Sequence, residues 1–514
     1  MFKNVKFPNI LNKDARQKDQ LENELTKNAV GVENKKETGE KKNFNENIPL
    51  SDISSLDSEN SKTTVKGEGF TFDKFAPPKR RFPIIIPLIF IFSLLILGLT
   101  YAAYRYKNRI TPYVGIQGEI EWWSFRYDEE EIKPLIEKFE EENNIKVKYV
   151  KQSPIDYRTR LMSAFARGDG PDVFSFHNSW IPMFSEELDS LQDNILTKDD
   201  FVSRFYPVIV SDLNSPQGFL GIPLEYDALT LYINEDIFAK AAKTPPETWD
   251  QLKDLAKELT SRDKQNVINQ AGVAIGLTEN VDHWQEILAL MLLQNGVKLA
   301  NMDEEAAADA FSYFKSFSAR EKIWDTTLAK STTAFANGKV AMYLAPSYRA
   351  KQIIEINPGL RFRTYALPQV RKEDPEFPDI SYATYWIEGV WKRSTDKMEA
   401  WKLLEYLSSR ESQIELFSNV KETGGSGFAY PRIDMGDLIV NDKYVGSVVA
   451  MAPNARSWYL AGDTNDGESG LNTQLSEVFI EILKFSQTSE GAEAAVKNFS
   501  DDIVRVLSGH GATK

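Results

Sequence analysis

Trp458 and Tyr459 stand just before a Gly- and Asp-rich loop, Trp180 stands beside Asn178 and Ser179, and Tyr226 abuts Asp227. Tyr348 follows "AMYLAPS", and Phe125 closes "EIEWWSF". An aromatic face can stack on the flat apolar face of a sugar ring while carboxylates, amides and hydroxyls take its hydroxyl groups. The same residue types could cut a glycosidic bond if two carboxylates faced each other across it. Aromatic residues are 12% of the sequence, enough to furnish a core and a binding cleft together, so composition leaves both uses open. Trp123 and Trp386 are expected in the core, and Trp249, Trp391 and Trp401 fall in helix or strand periods that assign them to packing.

Other chemistries lack their residues. His177, His283 and His510 are isolated, and no H-E-x-x-H brings two of them to one helix face, so no metal is expected. "GGSGF" and "GESGL" lack the G-x-S-x-G spacing of a serine nucleophile, and no Gly-rich phosphate loop precedes a Lys-Ser/Thr pair. No catalytic residue and no cofactor is expected. The chain has no cysteine, which removes disulfides, thiol nucleophiles and lipid attachment through cysteine. The chain's net charge is -14, with residues 1–112 net positive and residues 113–514 carrying -20, which argues against nucleic acid as a partner and against lying on anionic lipid.

The elements that must position these side chains read as alternating strands and helices. "EIEWWSF" is an expected strand, and Ile132, Leu135, Ile136 and Phe139 follow at helical spacing with acidic residues in the first turn. "IKVKYV" alternates like a strand, a second helix passes through Leu161, Phe165 and Ala166, and "PDVFSF" is a third strand. Such an order implies a mostly parallel sheet wrapped by helices, with ligands beyond the carboxyl ends of its strands, here Trp123 to Arg126 and His177 to Trp180. Thr248 and Gln251 have capping-box spacing before a further amphipathic helix.

From Phe82 to Tyr104 no residue is charged. At about 1.5 Å per residue a helix of this length spans the roughly 30 Å hydrocarbon core of a bilayer. The segment is apolar all round, unlike a core helix with one buried face, and residues 83–104 are expected to be a transmembrane helix. Thr100 and Ala102 could mark a signal-peptide cleavage site, but some eighty residues precede the apolar run, so a retained anchor is expected. Basic residues flank both sides, Lys79 to Arg81 before and Arg105, Lys107 and Arg109 after, so charge alone does not orient it. Residues 1–82 are polar and nearly balanced in charge, too poor in large apolar side chains to form a core, and are expected to be a disordered tail. Residues 105–116 are an expected linker.

The segments "FEEENNIKV", "GDGPDV", "IPLEYDALTLYINEDIF", "PPETWDQL", "FANGKVAM" and "TGGSGFAYPR" follow one another across about residues 117–510 in an order that resembles the extracellular solute-binding proteins of family 1, the maltose-binding-like sugar receptors of ABC importers. The resemblance implies an α/β, periplasmic-binding-protein-like fold, with two lobes joined by a hinge and each built on a mostly parallel sheet. Lobe one would take about residues 117–225 and 380–430, and lobe two about 226–379 and 431–514. It implies a carbohydrate ligand in the cleft, an ABC permease as partner, and an extracellular or periplasmic location for the C-terminal domain. Trp458 and Tyr459 match a stacking aromatic pair of the family, and Tyr348 a stacking tryptophan. Asp227 aligns with a carboxylate that bonds sugar hydroxyls, with Tyr226 beside it at the hinge. Trp180, Asn178, Ser179 and Phe125 fall at strand ends facing the cleft, although Ser179 replaces a carboxylate of some relatives. The expected function is a membrane-anchored receptor that makes and breaks no bond; a glycoside hydrolase and a glycan-binding adhesin are the alternatives.

Overall fold

The computed structural model describes residues 118–371 and 378–512. The expected tail, membrane segment and linker lie outside the described residues, among which no helix is long and apolar enough to cross a membrane. Strand β1 (Glu119–Ser124) leads into helix α1 (Glu129–Asn143), strand β2 (Lys146–Lys151), helix α2 (Tyr157–Arg167) and strand β3 (Val173–His177). Helix α1 starts where expected because Asp128 and Glu131 form a capping box, the Asp128 amide donating to the Glu131 carboxylate at 2.7 Å. Ile132, Leu135, Ile136 and Phe139 turn inward as their spacing requires. Helix α2 closes on Gly168 at φ 82°, a left-handed position that glycine takes without strain.

The chain then enters a second sheet. Strand β4 (Leu229–Asn234) is followed by helix α3 (Trp249–Leu259), strands β5 (Ser261–Arg262) and β6 (Ile268–Val273), and helix α4 (Trp284–Gln294). Strand β7 (Val340–Pro346), helix α5 (Arg349–Ile356) and strand β8 (Phe362–Tyr365) complete it. Strand β9 (Trp386–Val390) returns to the first sheet, and helix α6 (Leu471–Phe485) belongs to the second lobe. The expected capping box of α3 is present, with the Gln251 amide donating to Thr248 Oγ1 at 3.3 Å.

The first sheet runs β9-β3-β1-β2, with β1 parallel to both β2 and β3 and β9 antiparallel to β3. The second runs β8-β4-β7-β6-β5, and there only β6 and β7 are parallel. A mostly parallel sheet is therefore found in lobe one but not in lobe two. The reason is topological: β4 carries the chain away from the hinge and β7 brings it back, so that Leu229 pairs with Pro346 and the two strands must oppose.

Two hydrophobic cores accompany the two sheets. One draws its buried residues from Ile120 to Ala228 and from Ala383 to Ala455; the other draws them from Leu229 to Tyr382 and from Trp458 to Ala512. The chain thus crosses three times, and the crossings lie side by side, with Ala228 bridged to Ala383 and Ser381 and Tyr382 paired with Ala455 and Arg456. The last crossing comes later than the expected residue 430. "TGGSGFAYPR" has loop composition but stays inside lobe one, where Tyr226 donates its amide to the Ala429 carbonyl at 2.8 Å, and Met435, Ile439 and Val448 pack into the first core beyond it.

Candidate ligand-binding cleft

The register of the first sheet gathers three strand ends at one edge. Trp386 lies opposite His177 across β9 and β3, and the end of β1 delivers Phe125 and Arg126 alongside. From the second lobe, the end of β7 delivers Pro346 and Tyr348, the first turns of α4 deliver Glu286, and the loop before α6 delivers Gly462, Asp463 and Thr464. Between them lies a cavity of about 20 Å³, room for about one water molecule, so nothing larger fits between the lobes as they stand. Contacts across the cleft hold them together: Arg158 donates from Nη1 to the Asp466 carbonyl at 2.9 Å, and Asn472 donates from Nδ2 to Ser179 Oγ at 2.8 Å.

Of the nine residues expected from the resemblance to bind ligand, Asp227 and Tyr348 line the cavity. Asp227 sits at the first crossing, and its carboxylate accepts from the amides of Ala228, Ser347 and Tyr348 at 2.7, 2.8 and 3.0 Å, tying the hinge to the entry of α5. Burial pushes its carboxyl up to about 6 against the pull of those amide donors. Tyr348 packs edge-on against His283, and burial raises its hydroxyl well above the usual value.

The others do not line the cavity. Trp458 and Tyr459 are only 6% and 7% exposed and pack in the second core. Trp180 is fully buried in the first core, stacked on Phe184 and edge-on to Trp386. Asn178 bonds Asp212 at 3.3 Å, the carboxylate that also takes Tyr385 Oη and Ser457 Oγ at the hinge. Ser179 bridges His177 and Asn472, Tyr226 is buried with its hydroxyl unpartnered, and Phe125 supports Trp386 edge-on at 4.6 Å.

Trp386, expected in the core, instead faces the cavity half-buried, because the antiparallel β9 begins at the cleft edge. Trp249, Trp391 and Trp401 are buried, as their periods require. Arg126 and Glu225 pair within lobe one, and Arg349 pairs with Asp463 within lobe two. The Arg349 Nε–H also donates to His283 Nε2 at 2.8 Å, which leaves the imidazole proton on Nδ1, facing Glu286 Oε1 at 3.3 Å. The Gly462 amide donates to that same oxygen at 2.8 Å. His177, hydrogen-bonded to Ser179 and Thr384, is pushed down to about 3 by burial and by the Arg126 charge, so it is neutral. Glu225 stands two residues before Asp227, and Glu286 is the one charged residue of a largely apolar helix; both were signals open to a sequence reading.

The chain's architecture and sequence agree with known binding proteins. A solute-binding protein of Thermotoga lettingae bound to α-D-tagatose superposes with a TM-score of 0.60 at 20% identity, covering 76% of this chain and 100% of that one. The sugar-binding protein MalE of Xanthomonas citri gives 0.60 at 18% identity, over 76% and 98% of the two chains. A Brucella abortus (strain 2308) protein described as a binding protein is 24% identical over 323 residues, 58% of this chain and 72% of the relative. Residues 134–424 match the family of bacterial extracellular solute-binding proteins. The chain belongs to that family, whose members bind solutes and are not enzymes.

Proposed function

We propose that this protein is a membrane-tethered receptor that closes two lobes over a sugar or oligosaccharide outside the cell and passes it to an ABC permease. The observation that carries the ligand class is the cavity wall, where the rings of Trp386 and Tyr348 stand among the carboxylates of Glu225, Asp227 and Glu286. Stacking faces flanked by fixed acceptors suit the alternating apolar faces and hydroxyl edges of a sugar. Relatives of the same fold were solved with tagatose, maltotetraose and cycloalternan, which supports the same class. Among the predicted residues, Asp227 and Tyr348 are the proposed contacts. The uncharged run over residues 83–104 supports a single membrane span, with 1–82 on one side and the binding domain from 117 onward on the other. Delivery to a permease is what the family's relation to ABC transporters supports; an adhesin would bind without a permease.

The test is to heat the full-length chain in detergent with a panel of oligosaccharides and to chromatograph the sugar afterwards. A rise in melting temperature with uncut sugar is the expected result. No shift with any saccharide would overturn the ligand class, and shortened products would overturn binding without chemistry.

A further inference from the structure

We infer that Glu286 makes this cleft selective for a saccharide carrying a protonated amine. The inference rests on the saccharide reading above. Four carboxylates line the cavity, from Glu225, Asp227, Glu286 and Asp463. Arg126 pairs with Glu225, and Arg349 with Asp463. Asp227 has no cation but accepts from three backbone amides. Glu286 differs from all three. Its Oε1 takes the Gly462 amide and faces His283, whereas its Oε2 is buried without a hydrogen-bond partner, and the side chain is 1% exposed.

His177 is neutral, and His283 presents Nε2 as an acceptor to Arg349, whose charge reaches Glu286 only through space. Glu286 also begins an apolar stretch of α4, with Ile287, Leu288 and Leu290 buried behind it, so water does not reach it from that side. A buried carboxylate oxygen without a hydrogen-bond donor is costly, and a ligand that meets it recovers that cost. A sugar hydroxyl would supply the hydrogen bond but leave the charge; an ammonium supplies both, and an acidic sugar would add a like charge to a wall already in excess of carboxylates.

Three series of equal length test this by tryptophan fluorescence with the full-length chain in detergent, at a mildly acidic pH where amines are protonated: glucosamine and galactosamine oligomers with free amines, their N-acetylated counterparts, and galacturonic acid oligomers. The free amines should bind at least about tenfold more tightly than either other series. Glu286→Gln, which keeps the shape and the acceptor for Gly462, should abolish that preference at a melting temperature no lower than that of the wild type. Equal or tighter binding of the N-acetylated or acidic series, or a preference that survives Glu286→Gln, overturns the inference and leaves the saccharide receptor standing. Binding to none of the three overturns both.

Discussion

Two tryptophans with exchanged roles separate binding from packing. Trp386 presents its ring to the cavity, so Trp386→Ala should weaken saccharide binding by roughly thirtyfold or more, measured by fluorescence or calorimetric titration. Trp458 is in the second core, so Trp458→Ala should instead cost about 3 to 5 kcal/mol of stability, read as a lower melting temperature without ligand. The reverse pattern would return the platform to Trp458. Glu388 carries a pH prediction. It is 2% exposed on β9, accepts from Trp122 Nε1 at 2.8 Å and bonds Ser175 Oγ at 2.7 Å, and burial raises its carboxyl to about 7. A raised folded pKa means that the folded state holds the proton more tightly; this contribution is fully present below the ordinary value of 4.5 and is lost as pH rises through about 7. Glu388→Gln mimics the protonated form, its amide donating to Ser175, whose own proton turns to Ser124 Oγ at 2.7 Å. Relative to wild type, the variant should gain up to about 3 kcal/mol at pH 8 and nothing at pH 4, as seen in melting curves across that range.

At the scale of elements, the loop before α6 depends on one buried carboxylate. Asp466 is 1% exposed and accepts from the amides of Asn472 and Thr473 at 2.8 and 3.3 Å and from Thr473 Oγ1 at 2.7 Å, so it caps α6 from outside. A Cβ on Gly470 would sit 2.1 Å from its Cγ. Asp466→Ala and Gly470→Ala should therefore each cost about 1 to 2 kcal/mol of stability. Because both disrupt the same cap, the double variant should be little worse than either single one, and fully additive losses in denaturant titrations would contradict this. Caps of this kind are hard to read in advance, because Asp466 lies five residues ahead of the first residue of the helix it serves. Thr248 with Gln251 was legible because the partners stand three residues apart in the same turn, a spacing that Asp128 and Glu131 share.

For the whole molecule, the proposed span fixes what each side of the membrane contains. Protease added to intact cells, or to spheroplasts if an outer membrane exists, should digest residues 113–514 and leave the 82-residue tail protected. Digestion of the tail with the large domain spared would reverse the orientation, and recovery of a chain beginning near Ala103 would mean that the apolar segment is removed.

The sequence by itself determined the features that depend on neighbours along the chain. The order β1-α1-β2-α2-β3, the buried face of α1, and the strand ends that bear Arg126 and His177 follow from side-chain period and capping, which act over one or two turns. Tertiary structure decided what depends on residues far apart. The second sheet is largely antiparallel because β4 and β7 meet at the hinge from opposite directions, and lobe one keeps the chain until Ala455 because Met435, Ile439 and Val448 find their apolar partners there. Trp386 reaches the cavity and Trp458 the core because an aromatic ring has the same local preference in either place. Which one faces the cavity is set by strand pairing across some two hundred residues, Trp386 opposite His177, and no local period encodes that distance.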